Sequence, residues 1–144
     1  MDRTLEQLIW DRAAGCCEYC LIPNWADDLP FHIDHVIARQ HGGKTIGSNL
    51  ALACYACNLH KGPNIAGRDP KSGRTVRLFH PRLHKWKYHF KWRGGFLVGR
   101  TPLGRATIVT LGINLAHRLE LRELLMFEGQ FPRQSPLDSG LGRN

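Results

Sequence analysis

The 144-residue chain has no apolar run approaching the ~18 residues that would cross a bilayer. Its first residues, MDRTLEQLIWDRAAG, lack the apolar core and small-residue cleavage pattern of a secretory leader. A cytoplasmic location without a membrane partner is therefore expected. Acidic side chains are also scarce, 12 Asp/Glu against 20 Lys/Arg, and the formal charge of +8 calls for an anionic partner. Nucleic acid ranks ahead of a membrane surface, because no amphipathic or lipidation signal is present. Internal repeats are missing too. With 42% hydrophobic residues the composition excludes a disordered chain and suits one compact domain, or a small domain with an extension.

The charge is unevenly spread. Residues 1–63 hold five Lys/Arg against seven Asp/Glu, whereas residues 64–144 hold fifteen against five. The basic surface should therefore lie C-terminal to residue 63. A basic extension that is merely solvated is the plainer alternative.

Local patterns place the elements. Thr4 and Gln7 read as a capping box, Leu5, Leu8 and Ile9 as an apolar stripe, and Gly15 as a stop, which predicts a helix over 5–14. Residues 23–30 read as a loop and 31–37 as a strand. Gly42, Gly43 and Gly47 keep the following stretch irregular; Leu50, Ala51 and Leu52 then read as a short buried strand, and residues 55–61 as a helix closed by Gly62-Pro63. Further on, residues 85–93 alternate Trp86, Tyr88, Phe90 and Trp92 with basic side chains, the period of a strand with one apolar face. Gly94-Gly95 and Phe96-Leu97-Val98 complete a hairpin. Thr101-Pro102 opens a helix that Gly112 ends, and Asn114 is expected to cap a last helix reaching about residue 128.

Four of the five cysteines form Cys17-x-x-Cys20 and Cys54-x-x-Cys57, separated by thirty-three residues. Zinc takes four thiolates at tetrahedral corners, and a two-residue spacer lets one turn present two of them to one ion. Redox CxxC pairs are the alternative, but the surrounding βαβ pattern they use is missing. A structural Zn2+ is expected. Cys16 should pack rather than ligate.

The segments HIDHVIARQHGG and NLALACYACNLHKG, with the flanking CxxC pairs, resemble the HNH (His-Asn-His) endonuclease family, in its zinc-knuckle ββα-metal subgroup. The resemblance covers about residues 10–64. It implies an α+β fold, a small zinc-stabilised ββα-metal finger, here followed by a basic β-hairpin and a helical C-terminal extension. It also implies hydrolysis of DNA phosphodiesters, leaving 5′-phosphate and 3′-hydroxyl ends. By that resemblance Asp34 binds the catalytic divalent metal, His35 deprotonates the attacking water, Asn49 braces the loop between the strands, and Asn58 is the metal ligand on the helix. The chemistry suits those residue types: a hard cation held through oxygen polarises a phosphate, and a neutral imidazole takes the water's proton. Mg2+ or Mn2+ is expected, because Gly62 stands where some relatives carry a second helix histidine.

Strict strand alternation would send Asp34 and His35 to opposite faces, so an irregular strand end is required. Lys61, one helical turn beyond Asn58, could meet a substrate phosphate. His32 and His60 are possible supports of the site, with ordinary packing or solvent contact as the alternative. Between Arg68 and Arg93 there are nine Lys/Arg and one acid. Lys85, Lys87, Lys91 and Arg93 are expected on one strand face along a phosphate backbone, with Arg77, Arg82, Arg100 and Arg105 as weaker candidates. The aromatic face of that strand either packs as core or stacks on unpaired bases.

The expected organisation is a nuclease core over 1–66, a basic hairpin-plus-helices extension over 67–129, and a flexible tail over 130–144. The expected activity is metal-dependent cleavage of DNA, double-stranded by preference. A non-catalytic zinc module that binds nucleic acid is one alternative, and an RNA-directed or toxin-like nuclease using the same site is another.

Overall fold

The computed structural model describes residues 1–133; most of the tail expected over 130–144 lies outside the described residues. Helix α1 (Arg3–Ala13) is capped by Asp2, whose side chain accepts from the Thr4 amide at 3.0 Å. The predicted Thr4/Gln7 box is thus displaced, and Gln7 donates to Asp11 instead. A carboxylate two residues earlier is the better acceptor for the free amides. Ala14 and Gly15, at φ of 53° and 71°, end the helix.

Two four-residue strands follow the first cysteine knuckle. β1 (His32–His35) pairs antiparallel with β2 (Leu50–Ala53), placing His35 opposite Leu50 and Asp34 opposite Ala51. β2 is buried on both sides. Leu50 and Leu52 join Ile9 of α1, whereas Ala51 and Ala53 face the cysteines and the larger core. Helix α2 (Tyr55–Lys61) starts on Cys54 and stops at Gly62, as expected. β1 is shorter than the predicted 31–37 because the backbone of Val36 and Ile37 bonds to Asn49 rather than continuing the ladder. These pieces form the ββα unit.

The second half departs more from expectation. β3 (Ala66–Arg68) and β4 (Thr75–Arg77) form a hairpin that the sequence pattern did not disclose. Its turn is organised by buried Asp69, which accepts from Lys71, Ser72 and both guanidinium arms of Arg105. These bonds, Arg105 first, hold the Asp69 carboxyl well below the usual carboxylate range. The predicted strand over 85–93 is a short helix, α3 (Trp86–His89), running into β5 (Phe90–Arg93). The helical turn lets Trp86 donate to the Tyr19 carbonyl at 2.8 Å and stack near Phe90 and Trp92, while Tyr88 swings to 69% exposure. Lys85 and Lys87 therefore do not share a strand face with Lys91 and Arg93. The hairpin itself stands: β5 turns at Gly94-Gly95 into β6 (Phe96–Gly99).

Thr101 caps α4 (Pro102–Thr110) through the Gly104 amide, as its sequence announced. Asn114 does not cap α5 (Ala116–Phe127). It clamps both backbone groups of Leu97 at 2.9 Å, a use that only the tertiary fold supplies. One buried cluster runs from Cys17 through Phe79, Phe90, Leu97 and Leu111 to Phe131. Among the described residues no helix is long and apolar enough to cross a membrane.

Phe79, at the centre of that cluster, is surrounded by the rings of His84 at 6.0 Å, His89 at 6.1 Å and Phe90 at 5.3 Å. Burial, then His84, Arg77 and Arg82, depress the neighbouring His80 to about 4. Burial lowers His84 and His89 as well. The unfolded chain binds protons on these rings near ~6.5. Folded stability is therefore complete above that value and falls as pH drops toward 4. Urea midpoints at pH 7.5, 6 and 5 should decline, and His80→Asn should flatten the decline; equal midpoints for the wild type would contradict it.

Candidate metal centre and catalytic cleft

The Sγ atoms of Cys17, Cys20, Cys54 and Cys57 lie within 4.8 Å of one another, and all four residues are buried. The Cys20 and Cys54 sulfurs stand 3.7 Å apart, far beyond the ~2.05 Å of a disulfide. Backbone amides of Tyr19 and Cys20 point at Cys17 Sγ, and that of Cys57 at Cys54 Sγ, each at 3.4 Å. Such N–H groups stabilise thiolates. The donors are thus placed to hold one metal ion, and an all-sulfur set suits structural zinc.

Arg118 of α5, which no sequence signal singled out, closes this centre from the far end of the chain. Its Nη2 lies 2.9 Å from Cys57 Sγ and its Nη1 donates to the Leu111 carbonyl at 2.6 Å. Burial alone would lower its pKa, but the thiolates of Cys57, Cys20 and Cys54 outweigh burial and raise it. A buried guanidinium beside sulfur would serve as counter-charge to metal-bound thiolates, whereas burial by itself pushes the Cys17 and Cys57 thiols up.

Across the ββα unit, Asp34, His35 and Asn58 line one open cleft of about 330 Å³, together with Arg39 and the Gly62-Pro63 corner. β1 keeps regular register through His35, so the Asp34 carboxylate turns to buried Tyr19 and Lys61 while the His35 ring meets Thr45, and the irregular backbone begins after His35. There the chain turns, stitched by Asn49, whose Oδ1 accepts from Ile37 and whose Nδ2 donates to the carbonyls of Ile37 and Lys44. Gly43 is required in that loop, since a Cβ would fall 1.7 Å from the Ile37 carbonyl oxygen.

Asp34 is 6% exposed, and its Oδ2 accepts from the Tyr19 hydroxyl at 2.7 Å. Burial raises its pKa, opposed by Lys61 and Tyr19. The His35 ring is free on its outer side and meets Thr45 Oγ1 through Nε2 at 2.8 Å. Asn58 is half-buried on α2. Asp34, Asn58 and His35 thus line one open cleft, and a carboxylate, an amide and an imidazole are donor types that suit a hard divalent cation.

Lys61 requires a correction. It was expected to reach a phosphate, but at 1% exposure it points inward, pairing with Asp34 at 3.1 Å. A seven-residue helix packed on β1 leaves its last side chain underneath rather than outside. Tyr19 and Thr45 were not foreseen, because both act across the fold. Neither supporting histidine lines the cleft: His32 rests against Tyr55, and His60 lines a separate apolar pocket beside the cysteines. Arg82 is engaged by Glu18 and the Leu50 carbonyl, and Arg105 by Asp69, so neither is free for phosphate. Trp86, Phe90 and Trp92 are core; Lys85, Lys87, Lys91, Arg93, Arg77 and Arg100 remain exposed.

Residues 17–64 match the family model described as HNH endonuclease. Comparisons with curated proteins and with solved structures gave no match. The matched stretch runs from the first zinc-type cysteine past α2 and so contains the four-cysteine centre and the whole cleft. Residues 17–64 are thus similar to the HNH endonuclease family and carry four cysteines placed as in its zinc-knuckle members, which supports a nuclease-type, nucleic-acid-related function.

Proposed function

We propose that this protein is a metal-dependent endonuclease that hydrolyses DNA phosphodiesters, with duplex DNA as substrate. The observation that carries the reading is that Asp34, His35 and Asn58 line one open cleft within the matched segment. Asp34 and Asn58 would hold Mg2+ or Mn2+. Bound there, the cation would supply charge stabilisation at the phosphate and the departing oxygen. His35 takes a proton from the attacking water through its free ring nitrogen, while Thr45 fixes the ring from the other side. Asn49 and Gly43 hold the loop that carries Thr45. Plasmid digestion with Mg2+, Mn2+ and EDTA, run beside single-stranded DNA and RNA, tests the activity and its substrate together.

The exposed basic residues after the motif would grip the phosphate backbone. Lys85 and Lys87 at α3 and Lys91 on β5 form the proposed surface, from two elements rather than one. Replacing all three with Ala should weaken binding to every DNA sequence and flatten the salt dependence by about one unit per lost phosphate contact. Zinc content should stay the same, and turnover at saturating DNA should fall much less than affinity. Unchanged binding across a salt titration would move the grip to Arg77 or Arg100.

A further inference from the structure

The Lys61 ammonium has three protons, and three acceptor groups surround it: the Asp34 carboxylate, the His35 carbonyl at 3.3 Å and the Val36 carbonyl at 3.0 Å. It is saturated, buried, and tied to both halves of the reacting pair. It fixes the Asp34 side chain, and it fixes the backbone from which the His35 ring projects.

Its charge has a second effect. The only anionic side chain lining the cleft among the described residues is Asp34, and Lys61 lies directly behind it while Arg39 stands on the rim. Asn58 brings a neutral amide. The local sum is therefore positive before any ligand arrives, and the affinity of an oxygen site for a hard cation follows its ligand charge count. A phosphate is attracted to such a cleft; a divalent cation is not.

We infer that Lys61 is a positioning residue that also holds the cleft's charge above neutrality, so that the divalent cation is retained only once the substrate phosphate is in place. The inference rests on the nuclease reading and specifies an order of assembly for that site. Phosphate entry adds the negative charge that Asp34 alone does not provide. Metal and DNA then bind with positive coupling, and each raises the affinity of the other by the same factor.

The test is Mn2+ binding to the zinc-loaded full chain, followed by the electron paramagnetic resonance of free Mn2+, in the His35→Ala background so that DNA stays intact. With a saturating duplex, and after subtraction of Mn2+ held by duplex alone, the site should bind at least ~10-fold tighter than without DNA. Lys61→Met, without DNA, should bind Mn2+ at least ~10-fold tighter than its parent, because the ammonium that repels the cation and neutralises Asp34 is gone. Should Lys61→Met not fold, Arg39→Gln at the exposed rim serves the same purpose and should also tighten Mn2+. Equal Mn2+ affinity with and without DNA would overturn the inference and leave the nuclease reading standing. So would charge-removed variants that bind no tighter at unchanged zinc content and circular dichroism. No saturable Mn2+ site even with DNA would overturn the catalytic-metal reading, and this inference with it.

Discussion

His35→Ala is expected to lower plasmid cleavage by at least ~100-fold, the usual cost of deleting a general base. The substitution is clean because the ring's side-chain hydrogen bond among the described residues is the exposed one to Thr45 Oγ1. Folding, zinc content and DNA affinity should match the wild type. Asp34→Ala should also abolish cleavage, but it strands Lys61 as an unpaired buried cation, a defect worth about 3–5 kcal/mol on its own. Asp34→Asn keeps an acceptor for Tyr19 and is the better probe of lost metal affinity. If His35→Ala cleaves at the wild-type rate in Mg2+ or Mn2+, the proposed role of His35 is wrong.

Cys54→Ser or Cys17→Ser is expected to cost the fold rather than turnover alone. Structural zinc contributes on the order of 10 kcal/mol to small domains, as much as a domain's whole net stability. Here the centre ties the first knuckle, α2 and α5 together. Loss of one thiolate should release the metal and give an unfolded or molten circular dichroism spectrum. Cys16→Ser should be nearly silent, since its sulfur stands outside the group of four and its hydrogen bond among the described residues is a 3.7 Å one to the Ala14 carbonyl. Elemental analysis of carefully purified, folded protein should return one zinc per chain, and its absence would remove the assignment.

What could be read from the sequence was what is local. The two CxxC spacings, the ends of α2 at Cys54 and Gly62, the Thr101-Pro102 start of α4 and the Gly94-Gly95 turn each depend on a few adjacent residues. The misreadings lie where a distant partner decides. Residues 85–93 alternate perfectly, yet the Tyr19 carbonyl captures Trp86 and winds its segment into a helix. Asn114 has the chemistry of a cap but is taken by Leu97. Lys61 looks like a surface cation because nothing in its neighbourhood along the chain announces three buried acceptors some 25 residues earlier. In the cleft, the family resemblance pointed to Asp34, His35, Asn49 and Asn58, whereas Tyr19 and Thr45 depend on how the knuckle and the glycine loop fold over them.

Arg118 also bears on where this molecule can be divided. The family match stops at residue 64, which suggests a portable cassette. Yet Cys57 meets Arg118, the Tyr19 carbonyl meets Trp86, and Glu18 meets Arg82, so the cassette's interior contacts are completed by residues 18 to 54 positions beyond its end. Grafting residues 17–64 alone onto another scaffold would carry the proposed reacting groups but strip one face of the sulfur centre of its counter-charge. The matched stretch and the packed unit are therefore different lengths of chain, and a version cut at residue 64 is expected to lose the Arg118 counter-charge that α5 supplies.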